Sequence, residues 1–240
     1  MTNENIKLLY DGAKMLGMDI SDEALAAFAE YYNKLISWNE RVNLTAITCE
    51  RDVVIKHFLD SLTLIRYLPA NAKSLVDVGT GAGFPGIPVK LVKRYLSLTL
   101  VDSLNKRINF LNELIADFSL TGINVVHSRA EDLGRNPSHR ENYDVGTARA
   151  VASLPVLCEY ILPLVRTGGV FIAMKGSEIQ NELFESERAI SVLGGKLETV
   201  EKFMLPFENM ERHIILIKKI RQTPAQYPRK SGKPTKSPIS

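Results

Sequence analysis

The chain has 240 residues, 45% of them hydrophobic and 24% charged, the balance of a soluble globular protein long enough to bury a sizeable core. Cys49 and Cys158 stand far apart and outside any CxxC pair, which excludes a disulfide framework or a cysteine metal cluster as the basis of the fold. Net charge is +3, and neither an apolar leader nor an apolar run near the ~20 residues of a membrane span is present, so a cytoplasmic protein free of membrane is expected.

Residues 1–70 read as a helical cap. Ser21-Asp22-Glu23 is a helix start signal, and Leu25, Phe28, Ala29, Tyr32, Leu35 and Ile36 follow as one stripe at helical spacing. A second stripe, Ile55, Phe58, Leu59, Leu62 and Ile65, ends before Pro69. Over 71–220 the pattern alternates. Strand 74–78 runs into glycines and a helix from near Pro88, and strand 98–102 precedes a helix carrying Ile108, Leu111, Ile115 and Phe118. Strands follow at 124–128, from Tyr143, and at 169–174, with a helix from about Pro155 to Val165 before the last. Such alternation predicts a doubly wound, mostly parallel sheet. Segments 199–207 and 211–220 are joined by three residues, too few for a parallel crossover, so they form an antiparallel hairpin at a sheet edge. A terminal hairpin after five parallel-type units suits methyltransferases better than nicotinamide dehydrogenases. Residues 221–240 read as a disordered tail with four prolines. The seven basic residues from Lys218 onward have no acid among them, leaving about −4 on the rest of the chain. Such a tail either neutralises nucleic-acid phosphates or only solubilises the terminus.

The loop after the first strand holds Gly79, Gly81 and Gly83, and its segment 81–86 fits GxGxxG, a weak signal alone. Its context favours one ligand. A dinucleotide loop presents its backbone to a pyrophosphate, which the carboxylate of Asp77, just before Gly79, would oppose. S-adenosylmethionine has no phosphate and carries a sulfonium charge, which an acid suits. Asp102 ends the second strand, 19 residues beyond Gly83, where a carboxylate accepts from both ribose hydroxyls. Arg129-Ala130-Glu131-Asp132 follows the third strand, where an adenine edge is read; a solvated helix start is the plainer reading of the two acids.

Taken together, Trp38–Thr45, His57–Leu62, Asp77–Pro88, Val101–Ser103, Arg129–Glu131, Arg149–Ala152, Met174–Gly176 and Glu211–His213 resemble the small-subunit ribosomal RNA guanine-N7 methyltransferases, formerly called glucose-inhibited division protein B. The resemblance runs from about residue 20 to 220. It implies a class I methyltransferase fold with seven strands, S-adenosylmethionine as cofactor, and N7 of a guanine in bacterial 16S rRNA, free or in a small ribosomal subunit, as the acceptor. It also implies Gly79, Phe84, Ala130, Glu131 and Arg149 as cofactor contacts. His57, Lys175 and Arg212 are candidates for the substrate side, with ion pairs to Asp60, Glu131 or Asp132 as the plainer role for Arg149, Lys175 and Arg212. His57 and Asp60 fit a hydrogen-bonded pair between cap and cofactor domain; a metal site needs more ligands. Trp38 fits a core anchor closing the cap better than a base-stacking platform, and Asn39 and Asn43 fit helix-end caps. A monomer is expected.

The residues also argue against two other kinds of acceptor. Neither cysteine follows a proline, as a pyrimidine-C5 nucleophile would, and 147–151 lacks the Asn/Asp-Pro-Pro-aromatic loop of adenine-amine methylation. Guanine N7 already has a lone pair, so no general base is required. Methylation of a small molecule or protein, or RNA binding without turnover, remain open on these residues alone.

Overall fold

The computed structural model describes residues 1–239. The cap begins with α1 (Asn3–Met15) and α2 (Asp22–Asn39), the latter capped where the sequence indicates, with Ser21 Oγ accepting from the Ala24 amide at 3.2 Å. Its buried face is Ala24, Leu25, Phe28, Tyr31 and Leu35, while Ala29, Tyr32 and Ile36 are half-exposed. The stripe is therefore rotated toward Tyr31. Adjacent tyrosines leave that choice open in sequence, and packing makes it. A continuous helical run then passes through α3 (Glu50–Val53), a π-helical turn over Val54–Leu59, α4 (Asp60–Leu62) and a 3-10 turn over Thr63–Tyr67. Each register change re-aims side chains that a straight helix would space differently, a device common at functional sites.

The sheet comprises β1 (Ser74–Val78), β2 (Ser97–Asp102), β3 (Ile123–His127), β4 (Tyr143–Arg149), β5 (Val165–Lys175), β6 (Gly195–Met204) and β7 (Glu211–Lys219), in the order β3-β2-β1-β4-β5-β7-β6. The first five strands pair in parallel, and β7 runs antiparallel between β5 and β6. The later strand of the hairpin takes the inner place because its Ile214, Ile215 and Ile217 are all buried. The earlier strand, which exposes Lys196, Glu198, Glu201 and Lys202 beside Leu197, Val200 and Met204, is left at the edge, where its charges discourage further pairing. Helices α5 (Gly86–Val92), α6 (Asn105–Asp117), α7 (Ala130–Arg135), α8 (Leu154–Ile161) and α9 (Gln180–Val192) cover the two faces. The sequence reading assigns no helix between β5 and the hairpin; only Ser186, Ala189 and Ile190 of α9 are buried, too faint a stripe to stand out.

The cap and the α5–α6 face share one core, with Tyr31 at the seam. Its hydroxyl donates to the Ala82 carbonyl, and its ring stacks on Phe84 at 5.3 Å. Trp38 is half-buried against α6, with its edge toward Phe110 and its indole N–H donating to Glu113 at 3.0 Å, so it anchors the cap.

Residues 221–239 correct the expectation of a disordered tail. Arg140 donates to the carbonyls of Thr223, Pro224 and Tyr227, and Arg135 to that of Pro228. Arg229 forms a two-pronged ion pair with Glu159, and the short helix α10 (Lys233–Lys236) buries Pro234 against the domain. The partners lie 70 or more residues upstream, so composition carries no trace of them. Prolines also lower the entropy lost on ordering.

Replacing Tyr31 with Phe should cost ~1 kcal/mol, because the Ala82 carbonyl loses its donor. Tyr31→Ala should cost about 3–5 kcal/mol through the cavity at the seam. Urea unfolding reads both, and an unchanged midpoint for the Phe variant would exclude the hydroxyl as a tie between cap and loop.

Candidate functional site

Between β1 and α5 the chain turns three times through left-handed backbone, with φ of +70° at Gly79, +62° at Gly81 and +98° at Gly83. Side chains avoid this region, so these glycines let the backbone itself form a wall. At Gly81 an added Cβ would meet nothing within 4 Å, which leaves open space above the loop.

Asp77 holds this loop from beneath, contrary to the expectation that it faces a cationic ligand. It is fully buried. Its Oδ2 accepts from Thr80 Oγ1 at 2.6 Å and from the Gly86 amide at 2.9 Å, while Oδ1 has no partner. Burial pushes its carboxyl up to about 7, although both hydrogen bonds and Arg149 pull the other way. A proton on Oδ1 fits this arrangement, with Oδ2 free to accept twice.

Two cavities flank the loop and meet at Gly79, Arg107 and Ala150. The smaller, about 360 Å³, is lined by Asp102, Ser128, Ala130, Glu131, Tyr160 and Gly232 among others. It contains the predicted ribose and adenine residues together. Asp102 is 2% exposed. Its Oδ1 accepts from the Leu104 amide, and its Oδ2 from the Gly81 amide, both at 2.9 Å, and from Arg107 at 3.2 Å. With two lone pairs per oxygen, one position on Oδ1 is left for a ribose hydroxyl, and a second hydroxyl requires the half-exposed Arg107 to swing away. Glu131 lies in the first turn of α7 yet is only 4% exposed, so the solvated reading fails for it; its Oε1 accepts from the Gly232 amide at 2.8 Å.

The larger cavity, about 570 Å³, opens between the cap and the ends of β4, β5 and β7. The π-helical turn sets His57 over Phe84, ring to ring at 4.6 Å, and the Arg149 guanidinium lies 5.1 Å from the same ring. Arg149 Nη1 donates to the Lys56 carbonyl and to Asp60 Oδ2, each at 2.9 Å, and Nη2 donates to His57 Nδ1 at 3.1 Å. His57 Nδ1 is therefore the bare nitrogen, and Nε2–H donates to Thr45 Oγ1 at 2.8 Å. Thr45 is held by a loop whose amides at Leu44 and Thr45 are both capped by Asn39 Oδ1. Burial first, then the Arg149 charge, lowers the His57 pKa to about 3, so the ring is neutral near pH 7. Asp60 Oδ1 accepts from Arg212 Nε at 3.1 Å, placing one carboxylate between two guanidiniums. Lys175 pairs with Glu182 at 2.6 Å, an acid outside the three that sequence suggests, and donates to the Ala152 carbonyl.

The predicted residues thus divide. Asp102, Ala130 and Glu131 line one cavity, Phe84, Arg149, His57, Lys175 and Arg212 the other, and Gly79 both. Arg149 keeps its Nε–H and one Nη2–H without partners among the described residues. Sequence reasoning misses Arg107 and Tyr160, which carry no motif, and it assigns no role to Thr45 or to Ala150, whose φ of +55° turns the chain out of β4 at the junction of the cavities. A strained non-glycine residue is common at such sites.

Comparison with known proteins gives one family. Its sequence pattern, GidB, rRNA small subunit methyltransferase G, matches residues 24–215. Proteins named Ribosomal RNA small subunit methyltransferase G are similar over nearly their full length. The one from Acetivibrio thermocellus is 50% identical over 234 residues, covering 98% of this chain and 96% of its own. That from Levilactobacillus brevis is 51% identical over 227 residues, covering 93% and 94%. Among solved structures, M. jannaschii TYW2 in complex with AdoMet aligns with a TM-score of 0.52 at 13% identity, over 68% of this chain and 76% of its own. M. capricolum TrmK in complex with S-adenosyl-homocysteine aligns at 0.50 and 19%, over 68% and 69%. At such identities the likeness is one of fold, that of class I methyltransferases.

The buried carboxyl under the loop has a pH signature. With its pKa at about 7 folded against 3.8 unfolded, the native state retains a proton that the unfolded chain releases between those values. The stabilising contribution is full below the unfolded value and is lost as pH rises through about 7. Relative to Asp77→Asn, the wild type should lose roughly 2–3 kcal/mol between about pH 5 and pH 8 in denaturant unfolding. A pH-independent difference would mean the carboxyl ionises normally.

Proposed function

Because the chain belongs to the rRNA small subunit methyltransferase G family, its activity is S-adenosylmethionine-dependent methylation of small-subunit rRNA, and we propose that the acceptor is N7 of a guanine in 16S rRNA, attacked in line without a general base. The cofactor supplies a methyl group on a sulfonium, already electrophilic. Its adenosine fits the smaller cavity, with Asp102 at the ribose and Ala130 and Glu131 at the base. Gly79 then lies along its middle, and Phe84 and Arg149 face the methyl-bearing end from the larger cavity, where the guanine enters.

One observation carries this reading: the titratable groups gathered at Phe84 in the larger cavity offer no free base at neutral pH, and His213, the other imidazole lining it, is buried on the Gly176 carbonyl through Nδ1 at 2.7 Å. His57 is held neutral with its bare nitrogen occupied, and Asp60 is taken by Arg149 and Arg212. Asp77, the one carboxyl raised near neutrality, lies beneath the loop and lines neither cavity. An acceptor that must lose a proton is poorly served here; guanine N7 loses none. Its lone pair forms the N–C bond as the C–S bond breaks, and the electron pair leaves on sulfur. Orientation alone then supplies the acceleration. The rigid stack of His57 on Phe84, fixed by Thr45 and Arg149, suits that task.

Of the basic residues from Lys218 onward, Lys219 pairs with Glu141 and Arg229 with Glu159, so neither is free for phosphates. Lys230, Lys233 and Lys236 are exposed and unpaired among the described residues, and we assign the RNA contacts of this segment to them. Among the described residues, no helix is long and apolar enough to cross a membrane.

The decisive experiment maps 7-methylguanosine in 16S rRNA from a strain lacking the protein. One guanine should lose its methyl group, and an unchanged map would sink the assignment. In single-turnover assays with saturating RNA, His57→Ala should slow transfer by up to about 100-fold, by the same factor across about pH 6–9. A steep titration near neutrality that the variant abolishes would make His57 an acid–base catalyst and exclude N7. Replacing Lys230, Lys233 and Lys236 by Ala should make the log–log salt dependence of RNA binding shallower by about 0.7 for each phosphate no longer neutralised. An identical slope would leave them as solubilising charges.

A further inference from the structure

The cofactor cavity has a wall that no family motif contributes. Residues 229–236 approach it from outside the sheet. Arg229 Nε and Nη2 donate to the two oxygens of Glu159 at 2.5–3.1 Å, and the Arg229 amide adds a bond to Oε1 at 2.7 Å. The Glu159 side chain is 1% exposed, so this pair is a buried clasp rather than a surface contact. From there the chain turns at Gly232, whose φ of +81° directs its amide onto Glu131 Oε1 at 2.8 Å. Ser231 Oγ donates to Asp132 at 3.3 Å, and Thr235 Oγ1 lies 3.0 Å from the Tyr160 hydroxyl. Gly232, Thr235 and Tyr160 all line the cavity with Asp102 and Glu131.

We propose that residues 229–236 form the outer wall of the adenosine pocket, seated by the Arg229–Glu159 clasp, and that this wall sets the affinity for S-adenosyl ligands. Three links support it. The clasp commits the segment to one position, since a buried carboxylate left unpaired is costly. The Gly232 amide fixes the Glu131 carboxylate beside the base site. The segment closes a side of the cavity that the sheet and α7 leave open, and small-molecule pockets depend on covering most of the ligand surface. Arg229 and Glu159 are positioning residues, for neither lines the cavity. The proposal rests on the placement of adenosine given above, and not on which atom of RNA is methylated.

The test uses the full chain and S-adenosylhomocysteine, without RNA. In the wild type, the ligand should slow amide hydrogen exchange across 229–236. In Glu159→Gln/Arg229→Ala, which removes both charges so that neither is left buried alone, calorimetric affinity should fall about tenfold while the apo protein still melts cooperatively. Gly81→Val is the control, placing a branched side chain in the open space above the loop. Loss of binding in the control with wild-type affinity in the double variant overturns the wall. Intact binding in the control overturns the course of the cofactor along the loop from one cavity to the other, and the wall with it. If the double variant fails to fold, the wild-type exchange decides, and no ligand-dependent protection at 229–236 overturns the proposal.

Discussion

Arg149 stands at the end of β4, where the sheet, the cofactor loop and the helical cap converge, and its guanidinium is shared among all three. It bonds the Lys56 carbonyl, His57 and Asp60 of the cap, and it lies over the Phe84 ring of the loop. Asp60, in turn, receives Arg212 from β7. A charge withdrawn from water in this way is tolerated only while its partners stay, and removing one partner of such a buried cluster costs far more than the net worth of the pair. The relative position of cap, loop and hairpin thus depends on a single carboxylate between two guanidiniums. The shape of the larger cavity depends on it too, because those groups form its floor.

The same cluster explains the chemistry of the cavity. Its cations are engaged by internal partners, His57 is kept neutral by burial and by the guanidinium beside it, and His213 is held on the Gly176 carbonyl. What remains is a set of fixed planes and hydrogen-bond donors, suited to holding a flat neutral base. The Arg107 contact with Asp102 has a similar character: a half-exposed guanidinium satisfies a buried carboxylate.

Much of the architecture is legible in the sequence because it follows from local rules. Ser21 caps the helix it announces, the strands are short apolar runs between turn residues, and a three-residue connection forces the hairpin. Gly79 and Asp102, which the structure places on the cavity walls, are legible because a glycine loop and an acid at the next strand end follow from backbone geometry. What escapes is set by packing. Tyr31 rather than Tyr32 faces the core because of where the cap meets the loop. Asp77 stands where an acid would suit a cation, yet it faces inward and holds the turn. Composition alone makes residues 221–239 a loose tail, whereas Arg135, Arg140, Glu141 and Glu159, all distant in sequence, give that segment its fixed course.

The place of β7 between β5 and β6 has a consequence for how the chain is made. The side of β5 away from β4 has no strand to pair with until residues 211–219 have been synthesised and have folded back. Until then β5, buried and apolar along Val170–Met174, presents an open hydrogen-bonding edge next to the half-built sheet. Domains emerge at about 5–20 residues per second, and exposed apolar edges of this kind are where nascent chains aggregate. The β6–β7 hairpin closes locally within microseconds once its turn exists. Completion of the sheet is therefore governed by when the chain emerges rather than by a slow search. Among the strands it is the last made, not the first, that seals the enzyme's interior.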